Sequence, residues 1–416
     1  MRNKMKNRWI IIFIAMFSIF ASIIIAGCWG NLGDPSVSYY NAPGAPVYTR
    51  PVITDFTPKM GFYGDEVTIT GSNFGAEQGD GEVNFTGDEA SYKSWTDSEI
   101  IVYVPSSART GILTVSNAGG QYVSTTTNFI MLSWDTQYSS TYCDFYGSFF
   151  IDETRGWLVG DDRIYSYDDG IWSYENLDPN YVLYSISMVD ADTGWAAGGY
   201  KDDGYVLHTT DGWVNWNEQY KVAGHWLRGI SFVKNANNKG WAVGDGGVIW
   251  HTSDGGISWG KQNSQVTDNL NDVQFLDENN GWAVGSSGKI LHTNNGGADW
   301  NEQNSGITNK LYSLYMLDTT DGWAVGSQGA ILHYNNGTWN LDRLGDTTFM
   351  AVFFLNDQQG WIAGSDGMIY HTEDGGTTWK YENSGTYRPI MTIFFVSRKQ
   401  GWAGYYGTIK YCHSVW

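Results

Sequence analysis

LNDVQFLDENNGWAVGSSGKILHTNNGGADWNEQ, residues Leu270–Gln303, is the stretch that decides the fold. Its GWAVG core returns around Gly156, Gly194, Gly240, Gly322 and Gly360, and as GWAG around Gly401. With Gly281 that makes seven copies, spaced 38, 46, 41, 41, 38 and 41 residues apart. Within the quoted copy, Val273–Leu276, Trp282–Gly285, Lys289–Thr293 and Trp300–Gln303 read as four short strands, alternating where long enough to show it and separated by turn residues. A period near 40 residues built from strands and turns is the signature of a β-propeller, one four-stranded blade per repeat. Small residues after each Gly-Trp allow neighbouring sheets to approach, with the indole filling the space between them.

The turn before the fourth strand also repeats. It reads TSDGGISW at Thr252–Trp259, TNNGGADW at Thr293–Trp300 and TEDGGTTW at Thr372–Trp379, with a weaker TTDGWVNW at Thr209–Trp216. An Asp or Asn side chain satisfies turn amides and the glycines supply positive φ. This resembles the Asp-box (BNR) hairpin of sialidase-type propellers. Together with Gly-Trp-x-x-Gly, the repeats over about 133–416 resemble the photosystem II stability/assembly-factor family of seven-bladed propellers. That resemblance implies a noncatalytic assembly role. The last repeat stops before a fourth strand, while Trp134–Ser139 (WDTQYS) copies the fourth-strand pattern WNEQNS of Trp300–Ser305. The N-terminal segment is therefore expected to complete the last blade and pair its exposed edge.

Upstream, Val67–Thr70 and Ile112–Val115 alternate apolar and polar residues within turn-rich sequence, as in a sandwich. Gly71-Ser72-Asn73-Phe74-Gly75, with Pro58, Gly61 and Gly64 before it, resembles the IPT/TIG immunoglobulin-like domain, which implies a spacer. Arg2, Lys4, Lys6 and Arg8 precede the uncharged run Trp9–Ile25, an export-signal pattern. Ile25-Ala26-Gly27-Cys28 resembles a lipoprotein lipobox, which implies lipidation of Cys28 and anchorage at a bacterial envelope membrane. The reading is all-β: signal 1–27, lipidated cysteine and tether 28–50, IPT/TIG domain 51–131 and a seven-bladed propeller 132–416.

Of 416 residues, 44 are acidic and 24 basic, for a net charge of −20, and no basic stripe appears; nonspecific nucleic-acid binding is excluded. His208, His251, His292, His333 and His371 recur at one place in the third strand, one per blade, too far apart to share a metal ion. The Asp/Asn/Gly turns lack EF-hand spacing, and no nucleophile elbow, phosphate loop or dinucleotide fingerprint occurs. Neither a metal nor a cofactor is expected. Cys143 and Cys412 fall on opposite faces of an up-and-down blade and are expected to be unpaired thiols.

Specificity is expected where loops vary, on the face shared by the loops between blades and those between second and third strands. Counting back 12 residues from each repeat glycine gives Asp144, Val182, Arg228, Asn269, Lys310, Thr348 and Pro389, expected to ring the channel mouth. Trp226, Tyr387, Arg388, Tyr200, Tyr405 and Tyr406 lie beside them. Aromatic residues with Arg are common interface anchors. Arg228, Lys310, Trp226, Tyr200, Tyr387, Arg388, Tyr405 and Tyr406 are thus the candidate partner-binding residues. The expected function is a membrane-anchored, monomeric scaffold that binds an envelope protein or glycan. The alternative is a sialidase-like carbohydrate hydrolase with a carboxylate pair from different loops.

Overall fold

The computed structural model describes residues 48–140, 143–233 and 239–415. The segments expected to be an export signal and a tether lie almost wholly outside the described residues, and Cys28 lies outside them too. The N-terminal sandwich has two four-stranded sheets. One orders Val52–Thr57, Glu66–Ser72, Glu99–Tyr103 and Ser91–Trp95; the other orders Asp88–Glu89, Glu82–Phe85, Leu113–Ser116 and Tyr122–Ser124. Alternation aims Val67, Ile69, Val83, Ile100, Val102 and Val115 into the shared core, where Phe74 is fully buried. Gly71 is required there: a Cβ would lie 1.9 Å from the Val52 carbonyl oxygen and 2.5 Å from the Phe74 ring.

Seven sheets follow, six of them four-stranded consecutive meanders such as Leu270–Phe275, Gly281–Gly285, Ile290–Thr293 and Asn301–Gln303, and the last five-stranded. The innermost strand of each sheet packs on that of the next, and Phe145–Phe150 of the first sheet packs on Ile390–Ser397 of the last. The circuit is closed. Its last sheet joins Ile390–Ser397, Gln400–Tyr405 and Thr408–Val415 to Ile130–Ser139, which pairs antiparallel to Thr408–Val415 with Trp134 opposite Cys412. The N-terminal closure expected from WDTQYS is therefore what forms. The start of the same strand pairs in parallel with Met60–Gly61 of the sandwich, so one strand belongs to both domains.

The repeat motif explains the packing between sheets. Each repeat tryptophan is buried, and in five junctions it stacks on a phenylalanine at or near the end of the next innermost strand. Trp241 lies on Phe275 at 3.5 Å and 6°, and Trp323 on Phe354 at 3.4 Å and 8°. The third-strand histidines His208, His251, His292 and His333 lie against the tryptophans of their own sheets, at 4.4–5.0 Å for Trp282–His292 through Trp241–His251. They are packing residues. Fourth-strand glutamines add a polar staple: Gln219 accepts from Trp195 Nε1 at 2.8 Å and donates to Gly255 O at 2.8 Å in the next sheet.

Before the closing sheet the glutamine is replaced by Glu382, which accepts from Trp134 Nε1 at 2.8 Å. This carboxylate is fully buried, with Arg398 Nη1 at 3.3 Å and His371 Nδ1 at 2.8 Å. Burial works to raise its pKa, but Arg398 and His371 outweigh it and hold the carboxyl below its usual range. Phe62 of the sandwich covers Arg398, 5.5 Å from ring centroid to guanidinium. Cys143 and Cys412 are both free and buried, and burial pushes their thiols up, that of Cys143 to about 12.

Candidate functional site

The channel along the ring axis owes its shape to a repeated irregularity. Every innermost strand has a β-bulge near its start, after the first ladder pair in six sheets and after the third in Tyr181–Met188, which leaves one residue unpaired. Those residues are Tyr146, Tyr184, Arg228, Asn271, Tyr312, Met350 and Met391, and all seven line the channel. A strict period of two hides them, because the bulge shifts the alternation by one residue. The signal that would have found them is a position ten residues before the repeat glycine, occupied by Tyr146, Tyr184 and Tyr312.

Below the bulges, side chains tie neighbouring sheets together. Ser185 Oγ accepts from Ile230 N at 3.2 Å, Ser187 Oγ from Phe232 N at 3.0 Å and Ser231 Oγ from Phe275 N at 3.0 Å. Asp272 does the same with a carboxylate: its oxygens accept from Val273 N at 2.8 Å and Leu314 N at 2.9 Å. Burial nevertheless dominates and raises its pKa to about 6. Asp161, at the rim, is also raised by burial, while Asp144 N donates to its Oδ2 at 3.2 Å.

An aromatic arc crosses the first three sheets at this mouth. Tyr146 and Tyr184 are 5.1 Å apart, Tyr184 and Trp226 are 6.0 Å apart, and Arg228 lies 5.4 Å over the Tyr184 ring. Arg228 is held there by an ion pair with Asp245, and Trp226 by donation from Nε1 to Lys201 O at 2.7 Å. Lys310 sits 4.5 Å over Tyr312, and burial with the nearby positive charge of Arg228 lowers its pKa. Arg388 is 5.2 Å over Tyr406, and Tyr387 is 92% exposed. These contacts bring Trp226 and Arg228 together, and separately Arg388 and Tyr406.

Two expectations need correction. Counting back 12 residues from Gly240 reaches Arg228, but Leu227 pairs with Gly244 as Leu270 pairs with Gly285. The position just before that strand, equivalent to Asn269, therefore belongs to Trp226, and Arg228 is the bulge residue, because this repeat is two residues longer before its glycine. Tyr405 is buried, not exposed, and packs in the core of the last sheets. It occupies the place of the closing glycine in GWAVG and pairs with Ile390. Tyr200 is half-buried and packs on Tyr181 at 4.8 Å.

An IPT/TIG domain model matches residues 51–131, and a model described as photosynthesis system II assembly factor YCF48 matches residues 164–264 and 257–348. Among solved structures, YCF48 bound to D1 peptide is 22% identical over 67% of this chain and 94% of that one, with a TM-score of 0.57. YCF48 from Cyanidioschyzon merolae is 20% identical over 68% and 99%, with a TM-score of 0.55. The GH74 xyloglucanase from Xanthomonas campestris is 12% identical over 67% of this chain and 53% of that one, with a TM-score of 0.55. At such identities these structures show likeness of fold alone. No curated protein sequence matches the chain.

Proposed function

We propose that this chain, in which an IPT/TIG domain precedes a propeller resembling YCF48, is a noncatalytic protein-binding scaffold anchored at a bacterial envelope membrane through Cys28. The observation that carries the reading is the arc of Tyr146, Tyr184, Trp226 and Arg228 at the channel mouth, aromatic and cationic groups gathered on a protein of net charge −20. Aromatic residues with Arg desolvate well and anchor protein partners. Tyr387 and Arg388 extend the surface, with Lys310 and Tyr406 beside it. The solved YCF48 bound to a D1 peptide supports a peptide partner as the kind of ligand such a propeller can take.

A hydrolase reading has less support. A glycosidase needs one protonated and one free carboxyl facing substrate. The two acids of the mouth with raised pKa, Asp161 and Asp272, both spend oxygens on backbone amides. The lipid anchor fits the signal and lipobox pattern of residues 1–28, with the sandwich as spacer.

The test combines Trp226→Ala, Arg228→Ala, Tyr387→Ala and Arg388→Ala in one folded protein, checked by circular dichroism. Pull-down from native envelope should lose its specific partner. Partner recovery at full yield would refute this surface, and release of reducing sugar from envelope glycans would favour the enzyme.

A further inference from the structure

We propose that the opposite face of the disk, where the described loops between first and second strands lie, is a second docking surface that takes a basic peptide segment bearing an exposed aromatic or branched apolar side chain. A cavity of about 700 Å³ opens there, lined mainly by the first and last sheets and also by Gln274, Tyr315 and Phe353 of the fourth to sixth. Its wall is an aromatic crescent: Phe149 lies 5.8 Å from Phe394, Phe394 4.6 Å from Phe353, and Phe353 5.0 Å from Tyr315. Opposite them Gln274 spends its amide on Met316, accepting from its N–H at 2.6 Å and donating to its carbonyl at 3.0 Å. The deep wall is thus apolar, and 39% exposed Ile151 carries that character to the rim.

Charge decides which apolar occupant fits. Asp152, Glu153, Asp192, Glu278, Asp318 and Asp357 stand exposed on these loops. Asp152 and Asp318 accept hydrogen bonds within their own turns, which holds both carboxyls below their usual range. Among the described cations of the same loops, Arg155 lies 3.9 Å from Asp192, Lys239 pairs with Glu278, and Arg398 is buried beneath Phe62. Lys399 is exposed. An apolar hole inside an acidic rim selects a cationic ligand with one apolar anchor, since field and burial then act on the same molecule.

Fluorescence anisotropy on the purified protein tests this with a labelled peptide of alternating Lys and Gly around one central Trp. Saturable binding should weaken about tenfold when that Trp becomes Ala. Binding should weaken similarly, and lose its salt dependence, in the triple variant Glu153→Lys, Glu278→Lys, Asp357→Lys, whose substitutions are all on exposed loops. Phe394→Ala, with folding confirmed by a thermal melt, should abolish the preference for Trp over Ala. The four-alanine mouth variant should bind the peptide normally, which separates this surface from the one proposed above. Equal affinity for the Ala peptide, for a Glu-for-Lys peptide, or by the triple variant would overturn the proposal. So would absence of binding, loss of binding in the mouth variant, or displacement of the peptide by neutral cellohexaose.

Discussion

Phe150, at the end of the first innermost strand, stacks on Trp402 of the last sheet at 3.8 Å and 11°. This is the contact that Phe275 makes with Trp241 and Phe354 with Trp323 in the interior of the circuit. The seam where the ring closes is therefore packed like any other junction. It also shares the polar staple, because Gln137 accepts from both Trp402 Nε1 at 3.1 Å and Trp172 Nε1 at 2.8 Å. Trp402→Ala should cost about 3–5 kcal/mol, the range for truncating a buried tryptophan. Chemical denaturation should show that loss in a single transition; a fraying phase confined to the first sheet would mean that the ring is not closed by this contact.

Removal of Ser133–Ser139 takes away the outer strand of the last sheet together with Trp134, whose indole reaches Glu382. The expected outcome is a lowered melting midpoint for the whole propeller. Equal midpoints for the intact and shortened proteins would contradict closure by the N-terminal segment.

Glu382 stands where Gln137, Gln219, Gln262 and Gln303 stand in four other sheets, so Glu382→Gln restores the commonest residue of the repeat and yet should destabilise. Buried Arg398 would lose its nearer carboxylate, leaving Glu373 at 3.8 Å, and His371 would lose the oxygen beside its Nδ1; breaking a buried ion pair by removing one partner costs about 3–5 kcal/mol. Adding Arg398→Leu should recover much of the loss, measured by a double-mutant cycle. The sign of the pH effect follows from the lowered pKa of Glu382. Its contribution is present above the ordinary carboxylate pKa and is lost as pH falls through the folded value.

Asp272 acts in the opposite sense. Its folded pKa of about 6 lies above the ordinary aspartate value of 3.8, so the folded state holds a proton that the unfolded chain has released. Stability should fall as pH rises from about 4 to about 6 and level off above, by about 3 kcal/mol if the whole shift is felt. In Asp272→Asn that part of the profile should flatten, read as the difference between denaturant midpoints of the two proteins across pH 4–7. Parallel profiles would remove Asp272 as the titrating group.

The parts legible in the sequence were those in which every repeat needs the same residue. Each Gly-Trp marks a junction: at Gly281 a Cβ would meet the Phe275 ring at 2.4 Å, so the stack demands glycine there. WDTQYS announced the closing strand because Gln137 and Trp134 serve the same contacts as their counterparts elsewhere. The channel surface was less legible. Bulges displace Tyr146, Tyr184 and Tyr312 from simple alternation, and a longer repeat shifted Arg228 out of register. Tyr405 looked like a loop aromatic because the final motif is shortened, although it aligns with Gly285 and is buried with it. Glu382 and Arg398 lie far apart in sequence terms from Phe62, and only the docking of the sandwich brings the three together.

Lipid anchorage has its own test. Cys28→Ser should abolish incorporation of a palmitate analogue in cells, since the acceptor thiol is gone. Labelling at the unaltered level would refute the lipobox reading.

The central claim is that the channel mouth, not the outer edge of the sheets, meets the partner. A photocrosslinking amino acid placed at Tyr387, or in place of Ile171 on an outer strand where the side chain is 72% exposed, tests it directly in intact cells. The account predicts one discrete protein adduct from position 387, lost when Trp226 and Arg228 are also changed to alanine, and no such adduct from position 171. The same adduct from both positions, or one from position 171 alone, would contradict it.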